Sequence, residues 1–237
     1  MPIPLPDDLE LMRLHVEALF THDARGRLLR VNEFGGRSIA PRVYLGRTRM
    51  GHVLRVRADV ADDVAEELRA IADDEPVAAD VPQRPHCGAL LCATLARSEP
   101  IRRVWVGPAY CIDVGALPPA VATVRLEADG SPLTAMFPEW RGEVKHRQPF
   151  VAAVDGEAAA AICCSVRITA AAHEAGVETL LGARRRGFAT RAVVGWAHAV
   201  AATDALPLYS TSWDNAASQG VARGLGMRCY GADFHAT

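Results

Sequence analysis

Apolar positions change spacing several times along this chain, and each change marks a predicted element. Leu9, Leu11, Met12, Val16, Leu19 and Phe20 recur at helical spacing after Pro6-Asp7-Asp8 and predict a helix over 7–19. Short β-type runs follow at 28–31, 42–46 and 52–57, separated by Gly and charged turns. An acidic amphipathic helix is predicted over 60–72 and another helix over 88–96, with the Pro- and Ala-rich segment 74–85 as a loop between them. Residues 104–114 are strand-like, and Leu117-Pro118-Pro119 breaks the pattern. A domain boundary is expected there, giving an N-terminal α/β region over 1–120 and a second domain over 121–237.

The second half is more regular. Strands are predicted at 123–126, 150–154, 158–168 and 175–180, with Asp155-Gly156 as a hairpin turn and a helix carrying Trp140-Arg141 inside 132–148. After an Arg/Gly-rich turn, Phe188, Ala192, Val193, Trp196, Ala197 and Val200 form the stripe of a helix over 187–202. A strand at 206–212, a helix at 215–224 and a last strand opening at 227–230 complete the order, roughly β-α-β-β-β-α-β-α-β. This is a mixed α/β sheet, α+β in its antiparallel opening strands. The N-terminal half also mixes short strands with two helices, so a degenerate second copy of the same fold is one expectation for it.

Composition narrows the classes without naming one. The chain has 237 residues, half of them hydrophobic and 23% charged, which is enough apolar mass for a real core. A net charge of −2 gives no global field for nucleic acid, and no Arg stripe interleaves with aromatic residues. Among 26 basic residues Lys145 is the single lysine, which points to coding bias more than to chemistry. The six cysteines include no C-x-x-C pair. His86-Cys87 with Cys92 lacks the further ligands of a zinc site, so buried reduced thiols and a cytoplasmic setting are expected. The N-terminus lacks the basic and apolar regions of a signal peptide, no apolar run is long enough to span a membrane, and no solenoid repeat recurs.

The chemistry concentrates in the stretch from Glu178 to Thr190. A strand, then Arg184-Arg185-Arg186-Gly187, then a helix beginning Phe188-Ala189-Thr190, points free backbone N–H groups at one spot at the positive end of a helix dipole, an arrangement that holds phosphates. Gly187 permits close approach of a ligand, and the arginines can add charge-assisted contacts. Further on, Tyr209-Ser-Thr-Ser-Trp213-Asp-Asn215 ends a strand and leads into Ser218 and Val221-Ala-Arg-Gly-Leu-Gly-Met227. There Asn215 can cap a helix and Gly226 can end it.

These two motifs, in this order and spacing, resemble the GCN5-related N-acetyltransferase (GNAT) superfamily. The likeness covers about Val121 to Thr237. The strings Glu174-Ala-Gly-Val-Glu-Thr179 and Pro207-Leu-Tyr-Ser-Thr-Ser-Trp213 look like a bacterial subgroup related to antibiotic self-resistance acetyltransferases, and Ala40-Pro-Arg-Val-Tyr-Leu-Gly-Arg-Thr48 is similar to the same subgroup. The resemblance implies a GNAT-type fold and transfer of acetyl from acetyl-CoA directly to an amine, with a small-molecule acceptor expected. It implies pyrophosphate binding by Arg184, Arg185, Arg186, Gly187, Phe188, Ala189 and Thr190. Pairing of the pantetheine arm with the strand edge at Val177 and Thr179, and contacts from Asn215 and Ser218, follow from it too. It leaves a homodimer open, and it implies neither nucleic acid nor membrane as a partner.

Two departures stand out. Leu181-Gly182-Ala183 replaces the usual Pro-Glu-Tyr before the loop, and Ala222 occupies the place of a general-acid tyrosine. Ser218, Tyr209 and Tyr230 are the possible stand-ins. For the base, His173, Glu174 and Glu178 lie in or just before the strand. Alternation puts Glu174 and Glu178 on one face and His173 on the other, with the two glutamates favoured. His198 and His235 stand alone, and Trp140, Trp196 and Trp213 read as core or pocket wall. The departures also admit a catalytically weakened CoA-binding or regulatory module. A nucleotide enzyme is disfavoured, since neither a G-x-x-x-x-G-K-S/T string nor a G-x-G-x-x-G string opening a βαβ unit is present.

Overall fold

The Asp7 side chain accepts a hydrogen bond from the Glu10 N–H at 2.8 Å, so α1 (Asp8–Leu19) starts one residue later than predicted. A cap of this kind stabilises a helix by about 1 kcal/mol. The computed structural model describes residues 5–77, 79–80, 83–127, 136–140 and 142–237. After α1, β1 (Phe20–His22) and β2 (Leu28–Val31) form a separate antiparallel ribbon; β1 is an element the pattern missed.

The other strands are β3 (Val43–Thr48), β4 (Gly51–Val56), β5 (Val104–Cys111), β6 (Thr123–Arg125), β7 (Phe150–Asp155), β8 (Ala158–Ile168), β9 (Ala172–Thr179), β10 (Leu206–Ser210) and β11 (Arg228–Ala236). They make one mixed sheet in the order β4-β3-β11-β5-β10-β9-β8-β7-β6. Among the described strands only β9 and β10 pair in parallel. The break at Leu117-Pro118-Pro119 falls on the crossing from β5 to β6, which have four strands between them in the same sheet.

Among the described residues four further helices complete the fold: α2 (Asp62–Asp73), α3 (Gly88–Ala96), α4 (Phe188–Ala201) and α5 (Ala216–Gly224). Alternation along the strands sorts them. Tyr44, Ala109, Cys111 and Leu208 face α1, while Val43, Leu45, Val106 and Phe234 face α2 and α3, and Tyr110, Ile112 and Tyr209 face α4. Thus α1 covers one face and α2, α3 and α4 cover the other. The approach of α1 is close. A Cβ on Gly46 would lie 2.3 Å from Met12 Sδ, and one on Gly231 2.7 Å from Met12 Cε, so glycine is required under that turn.

Three expectations are corrected. Strand β9 begins at Ala172, three residues before the predicted 175, because Ala172–Glu174 already pair with β10, and His173 and Glu174 with β8 as well. Inside 132–148 the described residues form only 3₁₀ turns, at Pro138–Trp140 and Val144–His146; Gly142 between them has φ +80°, outside the helical range, and Arg141 lies outside the described residues. The second-copy expectation fails: β4 and β5 flank α2 and α3 but run antiparallel, through β3 and β11, so no counterpart of the parallel β9-α4-β10 unit exists in the described N-terminal half.

Candidate functional site

The site begins where β9 and β10 part. Their pairing runs from Ala172↔Leu206 to Glu174↔Leu208 and then stops, although β9 continues to Thr179. Main-chain direction on β9 follows from its hydrogen bonds. Leu180 N–H donates to Ala160 O on the β8 side, and Ala171 O accepts from Leu206 N–H on the β10 side. Even-numbered residues therefore bond toward β8 and odd-numbered residues toward β10. Past the divergence, the N–H and C=O groups of Val177 and Thr179 face a gap instead of a strand.

That gap is the mouth of a cavity of about 570 Å³. Val177, Glu178 and Thr179 line one wall, Tyr209, Asn215 and Ser218 the other, and Arg184, Arg185, Gly187, Phe188, Ala189 and Thr190 its end. Gly187 sits at φ +82° as the residue before α4, a left-handed conformation that glycine adopts without strain. Arg191 N–H is the first donor used inside the helix, to Gly187 O at 3.1 Å, so the N–H groups of Phe188, Ala189 and Thr190 precede the hydrogen-bonded ladder at its positive end. Buried Phe188 anchors the turn, with Arg191 over its ring at 4.1 Å. Arg184 and Arg185 are exposed at the rim. Arg186 is not in the lining: it pairs with Asp155 at 2.9 Å and lies 4.9 Å over the Phe188 ring. The cavity therefore joins an unpaired strand edge to a helix N-terminus flanked by two guanidiniums, a fit for an extended amide-bearing ligand ending in a diphosphate.

Asn215 Oδ1 accepts from Ser218 N–H at 3.1 Å, capping α5 while it lines the cavity. Gly226 has φ +61°, and the bonds Met227 N–H to Ala222 O and Gly226 N–H to Arg223 O close α5 in a Schellman motif. Ala222 is fully buried in the core under α4. Tyr209 comes from β10 into the same cluster, and its hydroxyl donates to Ser218 O at 3.3 Å; burial pushes its phenol up to about 12. Tyr230 lies on the opposite, α1 face, fully buried, with no hydrogen-bond partner for its hydroxyl.

The three base candidates separate as alternation predicts. His173 faces α4, with Nδ1 2.9 Å from Ser165 Oγ, which accepts from Trp196 Nε1 at 3.0 Å; burial lowers its pKa. Glu174 faces α1 and is 2% exposed. Its Oε1 lies 2.5 Å from His15 Nδ1, its Oε2 accepts from Ser210 Oγ at 3.2 Å, and His15 Nε2 lies 3.2 Å from Asp233 Oδ2. Burial opposes the charge on His15, but Glu174 and Asp233 outweigh it and raise its pKa to about 10. Both ring nitrogens then donate, and Glu174 is held in a buried ion cluster outside the cavity lining. Glu178, half-buried, does line the cavity, and its Oε2 accepts from Trp140 Nε1.

Sequence reasoning missed the His15 cluster and the Trp140 link. His15 was detectable, since it shares the apolar stripe of α1 with Met12 and Val16. Trp140 ends a 3₁₀ turn, and no local spacing shows which strand its indole reaches. His198 and His235 stay outside the cavity lining: His198 Nε2 is 2.9 Å from Pro118 O, and His235 stacks on Trp105 at 4.9 Å. Cys163 and Cys164 are buried free thiols, both raised by burial, and supply no nucleophile.

No protein-family profile matches the chain, and no curated protein does. Solved structures do. A GNAT-family protein from Novosphingobium aromaticivorans is 18% identical over 57% of this chain, with TM-score 0.47; a GNAT-family acetyltransferase from Colwellia psychrerythraea is 13% identical over 78%, with TM-score 0.49. A GCN5-related N-acetyltransferase from Kribbella flavida is 15% identical over 96%, with TM-score 0.49. The chain spans 65%, 76% and 93% of those proteins respectively, just under two thirds of the first. At these values the fold rests on the strand order and the divergence described above.

Proposed function

We propose that this chain is an acetyl-CoA-dependent N-acetyltransferase of the GNAT type, acting on a small-molecule amine by direct attack in a ternary complex. The observation that carries the reading is the parting of β9 and β10 beside the N-terminus of α4, with Val177 and Thr179 main chain facing the cavity. The pantetheine amides would add to β9 as a further strand, and the diphosphate would sit on the N–H groups of Phe188, Ala189 and Thr190 between Arg184 and Arg185. A β9 N–H directed into the gap would stabilise the oxyanion. Glu178 is the base, since it alone of the three candidates lines the cavity; Glu174 keeps its strand and α1 in place. Ser218 and Asn215 form the opposite wall. Membership of the self-resistance-related subgroup belongs to this proposal and rests on the strings around β9 and β10.

A thermal-shift titration with acetyl-CoA and CoA, with ATP and NAD as controls, tests the reading. A rise in Tm with the two CoA species alone is expected, because a ligand bound only by the folded state adds RT ln(1 + [L]/Kd) to its stability. No rise with either would overturn it. A CoA-binding module without turnover is the second reading, favoured by the methyl group of Ala222 where the family has a proton donor. Binding without CoA release over a panel of amines would favour it.

A further inference from the structure

We infer that Tyr209 is the group that protonates the departing CoA sulfur, so that a strand residue performs the task that Ala222 cannot. The inference rests on the acetyltransferase reading. Tyr209 is the first residue of β10 beyond the last pair with β9, Glu174↔Leu208, so it stands at the fork of the two strands. Its side chain leaves the sheet on the α4 face and lines the cavity opposite Val177. The hydroxyl reaches α5 and donates to Ser218 O at 3.3 Å.

Ser218 and Ala222 are one turn apart on α5, on neighbouring positions of a single helical face. The phenol from β10 thus ends beside the turn from which a side chain at 222 would project. Ala222 and Tyr209 belong to the same buried cluster, 0% and 2% exposed, so the small residue on the helix makes room for the large one on the strand. The other stand-ins fare worse. Tyr230 is on the opposite face, and the aliphatic hydroxyl of Ser218 is a far weaker acid than a phenol. Burial keeps the phenol protonated at neutral pH, up to about 12.

In the step itself, Glu178 takes a proton from the substrate ammonium, and the amine lone pair forms the C–N bond at the thioester carbon. As the C–S bond breaks, its electron pair stays on sulfur, which takes the Tyr209 hydroxyl proton. The second amine proton returns to the phenolate through solvent, and Glu178 releases its proton to water. The sum is acetyl-CoA plus ammonium giving CoASH, the amide and one proton.

The test is Y209F, which keeps the ring and removes only the hydroxyl. Expected are a kcat lower by about 100-fold, the low end of the range for general acid–base catalysis, an unchanged KM for acetyl-CoA, and an unchanged thermal shift with CoA. A second measurement needs no variant to fold and no turnover: ultraviolet titration of the thiolate of CoA bound to the wild-type protein. A phenol donating to sulfur holds the bound thiol below its free pKa. Unchanged kcat in Y209F that still binds CoA, or a bound thiol titrating at or above the free value, would overturn the role of Tyr209 alone. Absence of any thermal shift in the wild type would instead overturn the cofactor reading on which it rests.

Discussion

His15 shows how far one side chain can be shifted by what surrounds it. Its imidazole is fully buried between Glu174 and Asp233, and the two carboxylates raise its pKa from 6.5 to about 10. Because the folded value exceeds the unfolded one, this stabilisation is complete below about pH 6.5 and is lost as pH rises toward about 10. Denaturant midpoints should therefore fall across that window in the wild type. In H15Q the slope over the same window should shrink, with an overall loss of roughly 3 kcal/mol from leaving buried carboxylates without their cation. Equal slopes in both proteins would mean that His15 is neutral in the folded state. Gly187 makes a separate case. Open space surrounds it, so G187V would not clash, but φ +82° costs a branched residue about 1–2 kcal/mol. Affinity for CoA, read by calorimetry, should fall about tenfold, and Tm by roughly 2–8 °C from the strain.

Among the elements, β9 does the most, and its alternation is legible in the sequence. Glu174 and Glu178 on one face with His173 on the other followed from period two alone, the helix after the Arg/Gly turn from its helical apolar stripe, and the Asn215 cap from its residue type before α5. The long-range partners were not readable. The contacts of Glu174 with His15 and of Glu178 with Trp140 span 159 and 38 residues, and local spacing holds no record of such separations. Nor could it show that Arg186 turns to Asp155, because the three arginines are chemically alike and only the loop path distinguishes them. The Trp140 link gives a prediction at this scale. Trp140 packs on Phe150 and lies under Arg147, so its indole is a fixed donor to Glu178. W140F should lower kcat about tenfold by releasing the carboxylate, and E178Q about 100-fold, the low end for loss of an acid–base group, with KM for acetyl-CoA unchanged in both. A W140F effect confined to KM would make Trp140 a substrate wall instead.

For the whole molecule, the decisive feature is the sheet shared by both halves, with β5 between β10 and β11. Unfolding should accordingly be one cooperative transition by both circular dichroism and tryptophan fluorescence. A fragment of 121–237 should lack it, because β10 and β11 would each lose the partner they have in β5. Two resolved transitions would instead establish 1–120 as an independent unit. The same arrangement bears on the order in which the chain is made. Strand β11 lies between β3 and β5, both synthesised long before it. Until residues 228–236 leave the ribosome, β3 and β5 each present an unpaired edge, the kind of surface that recruits strands from other chains. The N-terminal half must therefore wait for β11, and this long-range closure leaves those edges open to aggregation until it pairs.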